Sequence, residues 1–121
     1  MKRRSIASMV FISSLLASCR HHGDISLNYS ESDKYYTMDA WFREDQTSAV
    51  EEYMDDKIGT RSNTSFMNTR MDTRLGLDDH TNFFIEKFPG HLKIELNKRE
   101  NSAESYREIK SMCEGIKEIL R

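Results

Sequence analysis

Beyond residue 24 the chain alternates polar and apolar positions, or repeats them with helical spacing, over most of its length. Ile25-Ser26-Leu27-Asn28-Tyr29 alternates as a short strand does, and Ser30-Glu31-Ser32-Asp33 supplies a turn. Tyr35 to Phe42 is rich in aromatics and predicts a second strand. Tyr36, Met38, Ala40 and Phe42 share one of its faces, and Tyr35, Thr37, Asp39 and Trp41 share the other, so one aromatic set is expected away from the core. Ala49, Val50, Tyr53, Met54 and Ile58 then recur with helical spacing. Ser48 and Glu51 match a capping box at the start of that helix, and Gly59 is placed to end it. Thr60 to Asn63 reads as a polar connection.

The clearest alternation follows. Met67, Thr69, Met71, Thr73, Leu75 and Leu77 lie on one strand face, and Asn68, Arg70, Asp72 and Arg74 on the other. Asn82 to Phe88 and His91 to Lys98 are two further strands joined at Pro89-Gly90. Symmetric pairing about that dipeptide sets Ile85 against Ile94, Phe83 against Leu96 and Glu86 against Lys93. Apolar pairs then share one face and opposite charges the other. Lys87 against Leu92 fits this register least well and is expected near the sheet end. The preceding hairpin needs an odd-length loop, such as residues 78–82, to put Leu75 and Ile85 on the same face.

The last helix is capped by Asn101 or Ser102. Its stripe is Tyr106, Ile109, Cys113, Ile116 and Leu120, broadened by Met112 and Ile119. Gly115 weakens it slightly and permits close approach of a strand. The element order is β-β-α-β-β-β-α. This predicts an α+β fold with an antiparallel sheet and helices packed mainly on one face, as a single small domain over residues 25–121.

The first residues carry a different signal. Lys2, Arg3 and Arg4 precede an apolar stretch over 5–17, which as a helix rises about 20 Å, short of the roughly 30 Å hydrocarbon core. A leader of this kind is excluded from the fold. With Leu16-Ala17-Ser18-Cys19 the stretch resembles the bacterial lipoprotein signal class, whose lipobox has an aliphatic residue, two small residues and a cysteine. The resemblance implies a signal peptide over 1–18, cleavage before Cys19, lipid on the sulfur and amino group of Cys19, and attachment to a membrane. Arg20, in place of the aspartate that retains such proteins in the inner membrane, favours the outer membrane facing the periplasm in a Gram-negative cell. Residues 19–24 then form a lipidated tether whose five-residue linker reaches about 17 Å, keeping the folded part close to the bilayer.

Removal of the leader changes the charge. The 18 basic residues become 15 against 20 acidic ones, and the net charge of −2 becomes −5. The α-β-β-β-α order from residue 48 also occurs in double-stranded-RNA-binding domains, but an acidic, extracytoplasmic domain is a poor match to nucleic acid, and no such partner is expected. With Cys19 lipidated, Cys113 has no partner in the chain and reads as a buried free thiol. Asn28-Tyr29-Ser30 and Asn63-Thr64-Ser65 match a glycosylation pattern that a bacterial address makes coincidental.

Candidate chemistry is sparse. There is no Gly-rich phosphate loop, nucleophile elbow or closely spaced Cys/His metal motif, and no cofactor is expected. Asp78-Asp79-His80 is the best local cluster and would suit a metal, although a solvated turn explains it as well. Asp55-Asp56 lies late in a helix, against its dipole. The stronger candidate is the sheet face away from the core, with Arg70, Arg74, Phe84, Phe88 and His91 as partner-binding residues. Aromatic and arginine anchors among oriented charges suit a protein interface. The competing expectation is that the N-terminal strands or the first helix cover Phe84 and Phe88. The leading functional expectation is a lipid-anchored, non-catalytic envelope protein that binds a protein partner, either as an assembly or pilot lipoprotein or as a neutraliser of a toxin or hydrolase. The alternatives are a small metal-binding or enzymatic lipoprotein using Asp78, Asp79 and His80, and a passive envelope component.

Overall fold

A computed structural model describes residues 25–121; the expected leader, Cys19 and the tether over 19–24 lie outside the described residues. The fold is α+β. Five strands, β1 (Ser26–Glu31), β2 (Tyr35–Trp41), β3 (Met71–Gly76), β4 (Asn82–Phe88) and β5 (His91–Asn97), form one antiparallel sheet in the order β1-β2-β5-β4-β3. After the β1–β2 hairpin the chain crosses the sheet through helix α1 (Thr47–Met54), a π-helical turn (Asp55–Gly59) and the single turn α2 (Thr60–Ser62). It re-enters at the far edge as β3 and meanders back until β5 meets β2. Helix α3 (Ala103–Leu120) closes the core.

Alternation decides which side chains enter that core. In β4 burial alternates residue by residue: Phe83 and Ile85 are enclosed while Phe84, Glu86 and Phe88 are half-buried on the other side. Met38, Ala40, Leu92, Ile94 and Leu96 join Phe83 and Ile85, and Val50, Met54, Ile58, Ile109, Cys113, Ile116 and Leu120 meet them from the helices. The expected pairs Ile85–Ile94, Glu86–Lys93 and Lys87–Leu92 all occur. Gly76 pairs with Asn82, so the loop is residues 77–81, odd in length, and Thr73 faces Ile85 on the inner side. The Pro89-Gly90 turn is docked as well as tight. Gly90 takes φ +86°, its N–H donates to Thr47 Oγ1 at 2.9 Å, and its carbonyl accepts from Phe42 N–H at 2.9 Å.

Five local expectations are corrected. Helix α1 begins at Thr47 rather than after a Ser48–Glu51 box; Ser48 is exposed, and Arg43 N–H donates to Gln46 Oε1 at 3.3 Å instead. Gly59 does not stop the helix. The chain passes through it to Asn63, whose left-handed conformation (φ 56°) ends the run, as asparagine tolerates. The strand expected from Met67 starts at Met71, because Asn68 is also left-handed (φ 57°) and its N–H donates to Glu51 at 2.9 Å rather than to a neighbouring strand. Gly115 faces no strand: a Cβ there would lie 1.8 Å from the Tyr53 hydroxyl, so the missing side chain lets α1 close on α3. At the margin of the same helix Ile119 is 38% exposed and outside the stripe assigned to it. Ser102 is the cap, accepting from Ser105 N–H at 3.0 Å.

Glu31 ties β1 to the end of β5 and to α3. It accepts from Lys98 Nζ at 2.7 Å, from the Tyr106 hydroxyl and from Lys110 Nζ at 3.3 Å. Lys98, then Tyr106 and Lys110, pull its carboxyl from 4.5 down to about 2. A depressed carboxylate stabilises the fold above its unfolded pKa, and that contribution disappears as pH falls from 4.5 towards about 2. Unfolding titrations of the wild type and Glu31→Gln should therefore differ at neutral pH and converge across that acid window; curves that stay parallel throughout would rule the cluster out as a contributor.

Candidate interaction surface

Both long helices pack on one side of the sheet, so the other side is open. None of the described helices covers Phe84 or Phe88, which are partly buried, with Trp41 of β2 and Arg70 set against Phe88. The strand register assembles the surface. Trp41 stands opposite His91, and His91 opposite Phe88, across three neighbouring strands. The three rings form one group: Trp41 to His91 centroids are 4.0 Å apart, Phe88 to His91 4.7 Å, and Trp41 to Phe88 5.8 Å in an edge-on arrangement. The Arg70 guanidinium lies 5.6 Å from the Phe88 ring, within cation–π range. Trp41 is 46% exposed and is the most exposed large apolar side chain among the described residues.

His91 does not present its ring to solvent as the sequence suggests. It is 3% exposed, enclosed between Trp41 and Phe88. Its Nε2 is 2.9 Å from Asp39 Oδ1, and its Nδ1 has no hydrogen-bond partner among the described residues. Its place is therefore beneath the surface, where it orients the two outer rings. Phe84 and Arg74 form a second spot, four residues along β4 from Phe88, about 13 Å away. Arg74 stands opposite Phe84 and donates to Asn82 Oδ1 at 2.7 Å and Glu100 Oε1 at 2.8 Å. Between the two spots runs a charged row, Asp72, Glu86, Lys93 and Asp39, in register across four strands. The expected residues Arg70, Phe88 and His91 thus gather at one end of the face, and Arg74 and Phe84 at the other. Trp41 completes the first group; its place in the alternation was visible, but its contact with His91 depends on β2 pairing with β5.

The Asp78-Asp79-His80 cluster is differently employed. Arg61 Nε is 3.2 Å from Asp78 and its Nη2 is 2.6 Å from Asp79, and the same guanidinium pairs with Glu108. Hydrogen bonding from Thr81, with the Arg61 charge, holds the Asp79 carboxyl below the usual carboxylate range. His80 takes a left-handed turn conformation (φ 71°). Both carboxylates therefore fix the β3–β4 loop to α2 and α3. Among the described residues no group of three or more His, Cys, Asp or Glu is arranged to hold a metal. Asp55 likewise holds local structure, its Oδ1 accepting Phe66 N–H at 2.6 Å and its Oδ2 accepting Ser65 Oγ–H at 3.1 Å. Cys113 is fully buried, and burial pushes its thiol pKa up, which leaves it protonated and shielded from reagents.

No protein-family model, curated protein or solved structure matches this chain. The class is therefore defined by architecture alone: a two-layer α+β protein with helices on one side of an antiparallel sheet and an aromatic, charged face on the other.

Proposed function

We propose that this protein is a lipid-anchored, non-catalytic component of the cell envelope that captures a protein partner on its open sheet face. The observation that carries the reading is the ring group of Trp41, His91 and Phe88 with Arg70 above it, on a face left uncovered by both long helices. Trp and Arg dominate the energetic centres of protein interfaces, and aromatic anchors gain most when a partner desolvates them. The charged row beside the rings supplies orientation. The lipobox at Leu16-Ala17-Ser18-Cys19 supports anchoring through Cys19, and Arg20 supports an outer-membrane address facing the periplasm. The partner is a subunit of an envelope assembly or an incoming toxin or hydrolase.

The test uses the full chain in its native cell, with a photo-crosslinking residue at Phe84, at Phe88, or at the helix-side positions Glu104 and Lys117, which are exposed on α3. Phe84 and Phe88 should yield one reproducible adduct that the helix positions do not, and its identity distinguishes an assembly subunit from a toxin. Fatty-acid labelling should follow Cys19 and vanish in Cys19→Ala. Adducts spread equally over both sides, or none, would remove the binding face; label retained in Cys19→Ala would remove the anchor.

A further inference from the structure

We propose that β3 is a self-recognition edge, through which two copies of this chain join their sheets. The strand occupies one end of the sheet order, so one of its sides has no neighbouring strand. Its central residues Asp72, Thr73 and Arg74 are exposed. Leu77 N–H donates to the Thr81 carbonyl at 2.7 Å, towards β4. Peptide groups alternate in direction along a strand, so those of Met71, Thr73 and Leu75 also point to β4. Those of Asp72 and Arg74 point out of the open edge and offer hydrogen bonds to another strand.

The side chains are complementary to themselves in one register. Antiparallel pairing centred on Thr73 sets Met71 against Leu75 of a second copy, Asp72 against Arg74, and Thr73 against Thr73. Apolar residues meet on the helix side and opposite charges on the other, each pair occurring twice by symmetry. A shift by one residue would put each apolar side chain against the opposite face.

Electrostatics within one copy favours this occupant. Asp72 stands directly opposite Glu86 in the β3–β4 register, and like charges so placed are destabilising. Among the described residues no cation pairs with Asp72. Arg74 of a second copy, whose Nη2 is held by Asn82 and Glu100 of its own chain, would supply one through its other guanidinium nitrogens, on the side of Asp72 away from Glu86. The other edge strand lacks such charge matching: the same kind of pairing of β1 about Asn28 brings together Ser26 and Ser30, and Leu27 and Tyr29, with no ion pair. The union at β3 produces a continuous sheet with two aromatic groups on one face. A contact confined to a short edge falls below the about 1,600 Å² of a standard interface, so the dimer dissociates on dilution.

The experiment is disulfide trapping in the full chain carrying Cys19→Ser, with Cys113 protected by burial. With Asp72 and Arg74 hydrogen-bonded across the axis, Thr73 and its copy form the close pair, about 4.5 Å between Cα atoms, within the range a disulfide spans. Thr73→Cys should give a covalent dimer under mild oxidation, and Asn28→Cys on β1 should not. Adding Asp72→Arg should lower the dimer yield about tenfold, by replacing two attractions with two repulsions, and adding Arg74→Asp to that variant should restore it. Sedimentation of the chain without introduced cysteines should show a dimer that grows with concentration. Equal trapping at Thr73→Cys and Asn28→Cys, no response to charge reversal, or a monomer at every concentration would overturn the proposal. None of these readouts depends on a membrane anchor or on capture of another protein.

Discussion

Glu51→Ala should destabilise the protein by about 3–5 kcal/mol, the range for breaking a buried ion pair by removing one partner. The pair is Glu51 of α1 with Lys87 of β4, 2.6 Å apart, with side chains 6% and 3% exposed. Lys87 also donates to the Thr69 carbonyl, and Glu51 accepts from Asn68 N–H at 2.9 Å. One charge pair therefore holds the helix, the sheet and the bent segment before β3. Removing the carboxylate leaves an ammonium in the core and an unbonded N–H. Lys87→Met leaves the converse, a buried carboxylate whose remaining bond is to Asn68. The double variant Glu51→Leu/Lys87→Met buries no unpaired charge, so its loss should be well below the sum of the two single losses. Chemical denaturation of the three variants measures this. Single losses under about 1 kcal/mol would mean that water reaches the pair and that it behaves as a surface salt bridge.

The same pair shows where sequence pattern stops being informative. Alternation put Lys87 on the apolar side of β4, opposite Leu92, and that placement is correct. Pattern treats a lysine there as a misfit at a sheet end, since its compensation comes from a residue far away in the chain. Glu51 was equally open to misreading. Its spacing from Ser48 fits a helix cap, a local motif, whereas its real partners are Lys87 and Asn68. Local rules register each residue separately; the crossover through α1 brings them together.

Elements governed by short-range periodicity were legible. The β4–β5 hairpin, its register and the odd loop before β4 follow from period-two alternation and a single Pro-Gly turn. The last helix follows from its apolar stripe and the Ser102 cap. Phe66, fully enclosed, was not legible: it sits in an irregular segment with no periodicity to mark it, held by Asp55. The candidate surface was half legible. Register sends Phe84 and Phe88 outward from Ile85, but the burial of His91 requires Trp41 as its cover, and that neighbour comes from β2.

Ile94→Ala and Ile116→Ala should each cost about 2–5 kcal/mol, while Ile119→Ala should stay within about 0.5 kcal/mol of the wild type. Ile94 and Ile116 have no exposed surface, one at the centre of β5 and the other on the inner stripe of α3. Truncation removes the buried methyl and methylene groups and leaves a void that neighbours fill only in part, since Ile94 is flanked in register by Ile85 and Met38. Ile119 lies on the same helix as Ile116 and has the same chemistry, but it is 38% exposed, so its truncation opens no cavity. The three variants share a residue type and differ in burial, and denaturant midpoints at a common slope compare them directly. A loss at Ile119 equal to that at Ile116 would show that the helix turns a different face to the sheet. A negligible loss at Ile94 would place the core on the side of the sheet that carries Trp41 and Phe88, and the aromatic surface would then be an interior layer instead of a docking face.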